Sequence, residues 1–204
     1  MPVKKLPDRS RAILAICLGL ATGLVILTGC NQENRQGSTG GDTIGGDFTL
    51  DSTSGPVALQ DFRGRAVLAY FGYTHCPDVC PTTLANVGAA LDALDEAERA
   101  KVQGLFISVD PARDTVEVVK EYARYFHPGI IGLSGTKEAV KTVARDYQVY
   151  FNKFFDQDSE ADDDYKMTHA DHLFLIDGSG AVVDMMSHHT KPEDIVAAVR
   201  RQLR

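Results

Sequence analysis

Apolar and polar positions along the chain form short blocks that predict strands and helices in alternation. Residues 48–59 alternate apolar and polar side chains on both sides of Ser54-Gly55-Pro56, which predicts a β-hairpin. Residues 66–71 and 102–109 are almost wholly apolar, as is typical of strands buried on both faces. Further short strands are predicted at 130–133, 173–176 and 181–186, the last two joined by the turn Asp177-Gly178-Ser179-Gly180.

Apolar residues at helical spacing predict four helices between and after these strands. They are marked by Leu84, Val87, Leu91 and Leu94; by Val119, Tyr122 and Phe126; by Val140, Val143 and Tyr147; and by Ile195, Val196, Val199 and Leu203. Thr190 and Glu193 have the spacing of a capping box, which predicts the start of the last helix. The order β-β-β-α-β-α-β-α-β-β-α predicts an α/β fold with a mixed central sheet flanked by helices and an N-terminal β-hairpin extension, the shape of a thioredoxin-like core.

The first thirty residues have the pattern of a targeting segment. A basic start is followed by an uncharged apolar run at 12–29, which ends in Leu27-Thr28-Gly29-Cys30. That ending resembles the lipobox of bacterial lipoproteins, in which the cysteine is lipidated; the alternative is an uncleaved N-terminal membrane helix. Either interpretation predicts an exported, membrane-anchored protein that faces the periplasm or another extracytoplasmic space.

Composition divides the rest of the chain. Residues 31–46 are mostly Gly, Ser, Thr, Asn and Gln and predict a flexible linker, so the folded domain is expected at 47–204. With 204 residues and 44% hydrophobic residues, the chain can build one packed core. The net charge is −7, and beyond the basic start 17 basic residues face 27 acidic ones. A body this acidic is a poor ligand for phosphate backbones, which argues against a nucleic-acid partner.

Cys76 and Cys80 stand between a buried strand and a helix, where the function of an open α/β sheet usually lies. A helix start favours thiolate, the form that binds metal and attacks disulfides. A structural disulfide is the plain alternative for an exported protein, but so short a loop adds little stability. Dithiol–disulfide exchange and Cu(I) binding remain, and the three intervening residues favour the metal because redox thioredoxin motifs have two.

A third metal ligand is expected at His172, immediately before the strand at 173–176. In thioredoxin-like proteins the loop that enters this strand faces the cysteine turn, so an imidazole there is expected to point at the sulfurs. Asp171 is a candidate to orient it. His75, next to Cys76, is interpreted as a residue that tunes the thiol, caps the turn or is solvated. The remaining histidines are interpreted as surface or core residues without a metal role: His127, His169, His188 and His189.

Three blocks of sequence resemble the Sco/SenC family of membrane-tethered copper proteins. They are Tyr73-Thr74-His75-Cys76-Pro77-Asp78-Val79-Cys80-Pro81, Ser108-Val109-Asp110-Pro111-Ala112-Arg113-Asp114-Thr115, and Asp171-His172. The resemblance implies a thioredoxin-like fold and copper, Cu(I) or Cu(II), carried by Cys76, Cys80 and His172. It also implies a partner, which is cytochrome c oxidase subunit II or another periplasmic copper protein.

Other interpretations stay open at this stage. A thiol–disulfide oxidoreductase that keeps partner cysteines reduced would need both cysteines and no histidine. A thioredoxin-like peroxidase or a purely structural lipoprotein is also compatible with parts of the pattern. Asp114 or Thr115 is expected to cap a helix, and Arg113 to pair with Asp78 or Asp110. The acidic run from Asp156 to Asp164 is either a solvated loop or a surface that steers a basic partner.

Overall fold

The structure, a computed structural model, describes residues 44–155 and 165–204. The predicted targeting segment with Cys30, residues 31–43 of the predicted linker and the acidic run at 156–164 lie outside these residues. Within the described residues, every helix is too short or too polar to cross a bilayer. The predicted tether therefore stays a prediction from the sequence.

The described residues form a central sheet with flanking helices. The strands are β1 Thr49–Ser52, β2 Gly55–Ala58, β3 Ala66–Gly72, β4 Val102–Ser108, β5 Ile130–Leu133, β6 Phe151–Phe154, β7 Lys166–His169, β8 Leu173–Ile176 and β9 Val182–Met186. The helices are α1 Val79–Asp92, α2 Glu96–Arg99, α3 Val116–Phe126, α4 Lys137–Asp146 and α5 Pro192–Gln202, with a 3₁₀ turn at Leu59–Phe62.

Five of these strands make one mixed sheet in the order β5-β4-β3-β8-β9. Strands β3, β4 and β5 run parallel, whereas β8 lies antiparallel to β3 and β9 antiparallel to β8. All seven residues of β3 and all seven of β4 are buried, as their apolar runs predict. The predicted mixed α/β fold and the N-terminal hairpin β1–β2 are confirmed.

A hairpin of two strands and one short helix go beyond the predicted order. Strands β6 and β7 form a separate antiparallel hairpin, and α2 is a single polar turn capped by Asp95 and Glu98. The apolar pattern does not predict α2, because one turn buries no apolar residue and so leaves no helical period. The β6–β7 hairpin matters more, because it brings a residue to the site described below.

The predicted start of α3 agrees with the structure, whereas the predicted start of α5 does not. The Thr115 hydroxyl accepts a hydrogen bond from the Val118 N–H at 3.4 Å and caps α3, as one of the two proposed residues. The capping box at Thr190 is wrong. Helix α5 begins at Pro192 after Lys191, because proline at the first helical position already has a helical φ and needs no N–H partner.

Candidate metal centre

The two cysteines occupy the turn from β3 into α1, as predicted. Cys76 lies just before α1 and is half-buried, whereas Cys80 is the second residue of the helix and has no exposed surface. The Cys80 N–H donates to Cys76 Sγ at 3.5 Å, so the unpaired N–H groups of the helix start point at the first sulfur. Gly72, at the end of β3, makes room for the second, because a Cβ there would lie 2.7 Å from Cys80 Sγ.

The environment gives the two thiols different pKa values. A hydrogen bond from Cys80 holds the pKa of Cys76 far below its usual range, helped by His169 and by the Asp78 and Cys80 N–H groups and opposed by burial. The same hydrogen bond to Cys76, together with burial, raises the pKa of Cys80. In the reduced protein, therefore, the shared proton resides on Cys80 and the half-buried Cys76 is the thiolate.

Alkylation by iodoacetamide tests this inequality. We expect Cys76 to react much faster than Cys80, at a rate that stays nearly constant from about pH 8 to about pH 5. An ordinary thiol loses reactivity roughly tenfold for each unit of pH below its pKa of about 8.5. Peptide mass spectrometry of time-quenched samples measures each site, with the urea-unfolded protein as control. Equal rates at both sites, or a tenfold fall per pH unit at Cys76, would contradict the assignment.

An imidazole from the β6–β7 hairpin completes the group. His169 is the last residue of β7, and its Nε2 lies 3.6 Å from Cys80 Sγ. One ligand atom from each of Cys76, Cys80 and His169 lies within 4.8 Å of the other two. Among the described residues, this is the single cluster of three such groups with metal-site spacing.

The His169 ring is held with one nitrogen free for the sulfurs. Its Nδ1 donates to the Ala170 carbonyl oxygen at 2.9 Å, so in the neutral imidazole, the form that binds a metal, Nε2 is the nitrogen that keeps its lone pair. The rings of Tyr70 and Tyr73 contact the imidazole edge to face, with centroids at 6.3 and 5.8 Å. A backbone carbonyl that fixes the tautomer of a histidine is the usual outer support of a metal ligand.

The structure places His169, not His172, against the sulfurs, and this corrects the sequence-based expectation. Tyr70 of β3 pairs with Leu173 of β8, so these side chains share one face of the sheet, the face that holds Cys80. Alternation sends His172 to the opposite face, where its ring lies 6.5 Å from that of Phe174. Asp171, expected to orient His172, instead pairs with His188 on the loop after β9.

A signal for His169 was present in the sequence. Tyr165, Met167 and His169 alternate with the exposed Lys166 and Thr168, which is the period of a strand with one buried face. Tyr165 and Met167 are indeed buried. Strand β7 pairs with β6, and Phe151 lies opposite His169. Recognising this strand would have placed His169 on the same face as two core residues.

A buried carboxylate anchors the cysteine turn to the neighbouring strand. Asp114 has no exposed surface, and it accepts hydrogen bonds from the Thr74 N–H at 3.0 Å and the Thr74 hydroxyl at 2.6 Å. The Ser108 hydroxyl, at the end of β4, donates to the same carboxylate at 2.6 Å. His75 lies at the rim, with 56% of its side chain exposed and Nδ1 3.9 Å from Asp114, and is outside the metal cluster.

A second network fixes the start of β7. Arg113 pairs with Asp110 at 2.6 Å, one of its two proposed partners, and donates to the Tyr165 carbonyl oxygen at 2.8 Å. The Tyr165 hydroxyl donates to Asp110 at 2.6 Å, and the Arg113 guanidinium lies 3.6 Å from the centre of the Tyr165 ring. The second sequence block therefore supports both sides of the site, the cysteine turn and the strand that ends in His169.

The donor set fits copper. Two thiolates are soft ligands that select Cu(I), and a neutral imidazole added to them accommodates Cu(II) as well. The Cys80 and His169 side chains approach from different elements, α1 and β7, so the fold and not a local motif brings them together. Thiol chemistry remains available to the same pair, because both cysteines are free.

Comparisons with known proteins identify the family that the chain matches. Residues 36–204 match the family model described as SCO1/SenC. The protein named SCO2, mitochondrial, of Saccharomyces cerevisiae is 38% identical over 165 residues, which cover 80% of this chain and 54% of that protein. The chain spans about half the length of the curated relatives it matches.

Two solved structures with copper bound are similar to the described fold. ScoI of Arabidopsis thaliana is 37% identical with a TM-score of 0.70, over 79% of this chain and 98% of that one. ScoI of Bradyrhizobium japonicum is 38% identical with a TM-score of 0.70, over 78% of this chain and 99% of that one. These matches support the thioredoxin-like assignment of the fold.

Proposed function

The chain belongs to the SCO1/SenC family, and we propose that it carries copper on Cys76, Cys80 and His169. The single observation that supports this most directly is the convergence of two free sulfurs and one imidazole within 4.8 Å. The copper-bound relatives support the choice of metal. Copper is here a cargo, and the receiver we propose is the binuclear copper site of cytochrome c oxidase subunit II or of another extracytoplasmic copper protein.

Release of the metal follows from the unequal exposure of its ligands. Cys76 is half-buried and His169 partly exposed, whereas Cys80 is fully enclosed. Thiolates of a receiving protein can therefore displace Cys76 and His169 first and Cys80 last. Each exchange replaces one sulfur or nitrogen ligand by another, so the copper is never left uncoordinated. The N-terminal segment, through lipidated Cys30 or a membrane helix, is proposed to hold the domain at the membrane where such a receiver lies.

The redox state of the pair is proposed to control loading. Oxidation of Cys76 and Cys80 to a disulfide joins the two sulfurs and removes both thiolates, which leaves His169 as the one remaining ligand of the set. The reduced protein should therefore accept copper and the oxidised protein should not.

Copper titration of the two redox states tests the function. Reduced protein is expected to bind about one Cu(I) per chain, measured by competition with a chromogenic Cu(I) chelator. Added Cu(II) should produce a sulfur-to-Cu(II) charge-transfer band in the visible spectrum. Oxidised protein, the matched control, should show neither. Equal affinity in both states, or a Cu(II)-loaded protein without the charge-transfer band, would contradict a site built on these sulfurs.

A thiol–disulfide reductase is a second candidate, favoured by the inequality of the two thiols. The half-buried Cys76 thiolate is placed to attack a partner disulfide, which forms a mixed disulfide and releases one partner thiolate. Cys80 then attacks Cys76, which releases the second partner thiol and leaves this chain oxidised. This activity needs both cysteines and no metal ligand from His169, whereas copper transfer needs all three residues. Turnover of a disulfide substrate by a His169→Ala variant separates the two functions.

A further inference from the structure

A buried tyrosine contacts the enclosed sulfur of the site. Tyr70 is the third residue from the end of β3 and has no exposed surface. Its hydroxyl donates to Cys80 Sγ at 3.6 Å, a usual length for a hydrogen bond to sulfur. A tyrosine hydroxyl keeps its proton at neutral pH, so it acts here as the donor.

The surroundings make this hydrogen bond effective. The Cys80 sulfur and the rings of Tyr70 and Phe106 surround the same point beside Gly72. A Cβ added to Gly72 would lie within 3.0 Å of an atom of each of these three side chains. Both Cys80 and Phe106 are fully buried, so water does not solvate the sulfur in place of the hydroxyl. In such an environment of low dielectric constant, one hydrogen bond to a charged sulfur has a larger effect than it would have at the surface.

The donor distinguishes between the chemical states of Cys80. A thiolate bound to copper carries negative charge and is a strong acceptor, and in the reduced, metal-free pair Cys80 shares the single negative charge of the pair through its hydrogen bond with Cys76. A sulfur in a disulfide is neutral and is a poor acceptor. Hydrogen bonds to cysteine sulfur are a recognised means of tuning the potential of copper and iron–sulfur sites. We propose that the Tyr70 hydroxyl is a positioning group that stabilises the reduced, copper-accepting state of Cys76 and Cys80 relative to their disulfide.

The inference has one part that stands without copper and one that rests on the proposed function. In the first, a dithiol reductant transfers two electrons and two protons to the Cys76–Cys80 disulfide and becomes a disulfide itself. Loss of the Tyr70 hydroxyl should make this reduction less favourable. In the second, the same loss raises the energy of the sulfur donor orbitals, so the sulfur-to-Cu(II) band should move to longer wavelength.

Tyr70→Phe tests both parts, because phenylalanine keeps the ring and removes only the donor. Metal-free protein is equilibrated with mixtures of reduced and oxidised dithiothreitol, and the oxidised fraction is measured by mass after acid quenching and alkylation. We expect the equilibrium constant for reduction to fall roughly tenfold, which corresponds to a potential about 30 mV more negative. Tyr147→Phe is the matched control, because Tyr147 is also buried but its hydroxyl donates to the Gly46 carbonyl oxygen at 3.1 Å.

The outcomes separate this inference from the proposed function. A lower potential in Tyr70→Phe, with Tyr147→Phe unchanged, supports the role of Tyr70 even if the protein binds no copper. An unchanged potential in Tyr70→Phe, or the same shift in both variants, overturns it even if copper binds normally. Thermal unfolding of the reduced variants shows whether the fold is intact, and a purely structural role for Tyr70 would change the unfolding midpoint without changing the potential.

Discussion

Serine in place of Cys80 is expected to lower the affinity of the reduced protein for Cu(I) by more than ~100-fold, the largest loss usually seen when only an outer partner of a ligand is removed. The substitution removes one of two soft ligands, and a hydroxyl does not replace a thiolate for Cu(I). Cys76→Ser should cause a loss of the same order. Competition with a chromogenic Cu(I) chelator under anaerobic, reducing conditions measures both.

The two cysteine variants should differ in their effect on the fold. Cys80 is fully buried beside Tyr70, whereas Cys76 is half-buried, so a polar hydroxyl costs more stability at position 80. Cys80→Ala provides the second measurement there, because it removes the sulfur without burying a hydroxyl. If either serine variant unfolds at the wild-type temperature and still holds Cu(I) within tenfold of the wild-type affinity, the two-sulfur site is wrong.

Alanine at position 169 is expected to weaken copper binding roughly 10- to 100-fold, whereas alanine at position 172 leaves it unchanged. The His169 Nε2 lies 3.6 Å from Cys80 Sγ, while the His172 ring lies beside Phe174 on the other face of the sheet. The effect should be larger for Cu(II) than for Cu(I), because two thiolates alone still suit a linear Cu(I) site. Titration of each variant with both ions gives the comparison.

The pair of variants is a matched test because the two histidines are three residues apart and both are partly buried. The charge-transfer band adds a second readout, since loss of an imidazole ligand changes its position and intensity. If His172→Ala removes copper binding and His169→Ala preserves it, the β7 strand must occupy another position in the loaded protein, and the ligand set described here fails. If both variants bind normally, the site needs no histidine.

Much of the fold was predictable because its signals are local. The strands β3 and β4 are continuous apolar runs buried on both faces. The helices α3 and α4 were predicted from apolar residues at helical spacing, and the valines Val119, Val140 and Val143 among them are buried. The cysteine turn was placed correctly for the same reason, since it sits between such a strand and such a helix. Elements that bury little were missed or misplaced, as with α2 and the start of α5.

Several roles within the second sequence block depended on distance in space. The sequence indicated two candidate carboxylates as partners of Arg113, and in the structure Arg113 pairs with Asp110. Tyr165, more than fifty positions away, forms the other hydrogen bonds of this network. Asp114 was a candidate helix cap, yet it is buried and holds the cysteine turn through Thr74. A carboxylate is assigned to such a role only when its hydrogen-bond donors are known, and these come from other elements.

The sequence by itself determined the mixed sheet and the position of a reactive cysteine pair at the end of a buried strand, because periodicity and turn residues act over a few positions. Only the tertiary structure decided which histidine joins the pair. The face of the sheet that a side chain occupies depends on the register of its strand with a distant partner, and one residue of register exchanges the two faces. The inequality of the two thiols is equally a tertiary property, since their pKa values are separated by the hydrogen bond between the two sulfurs, by the burial of Cys80 and by the N–H groups that the helix start directs at Cys76.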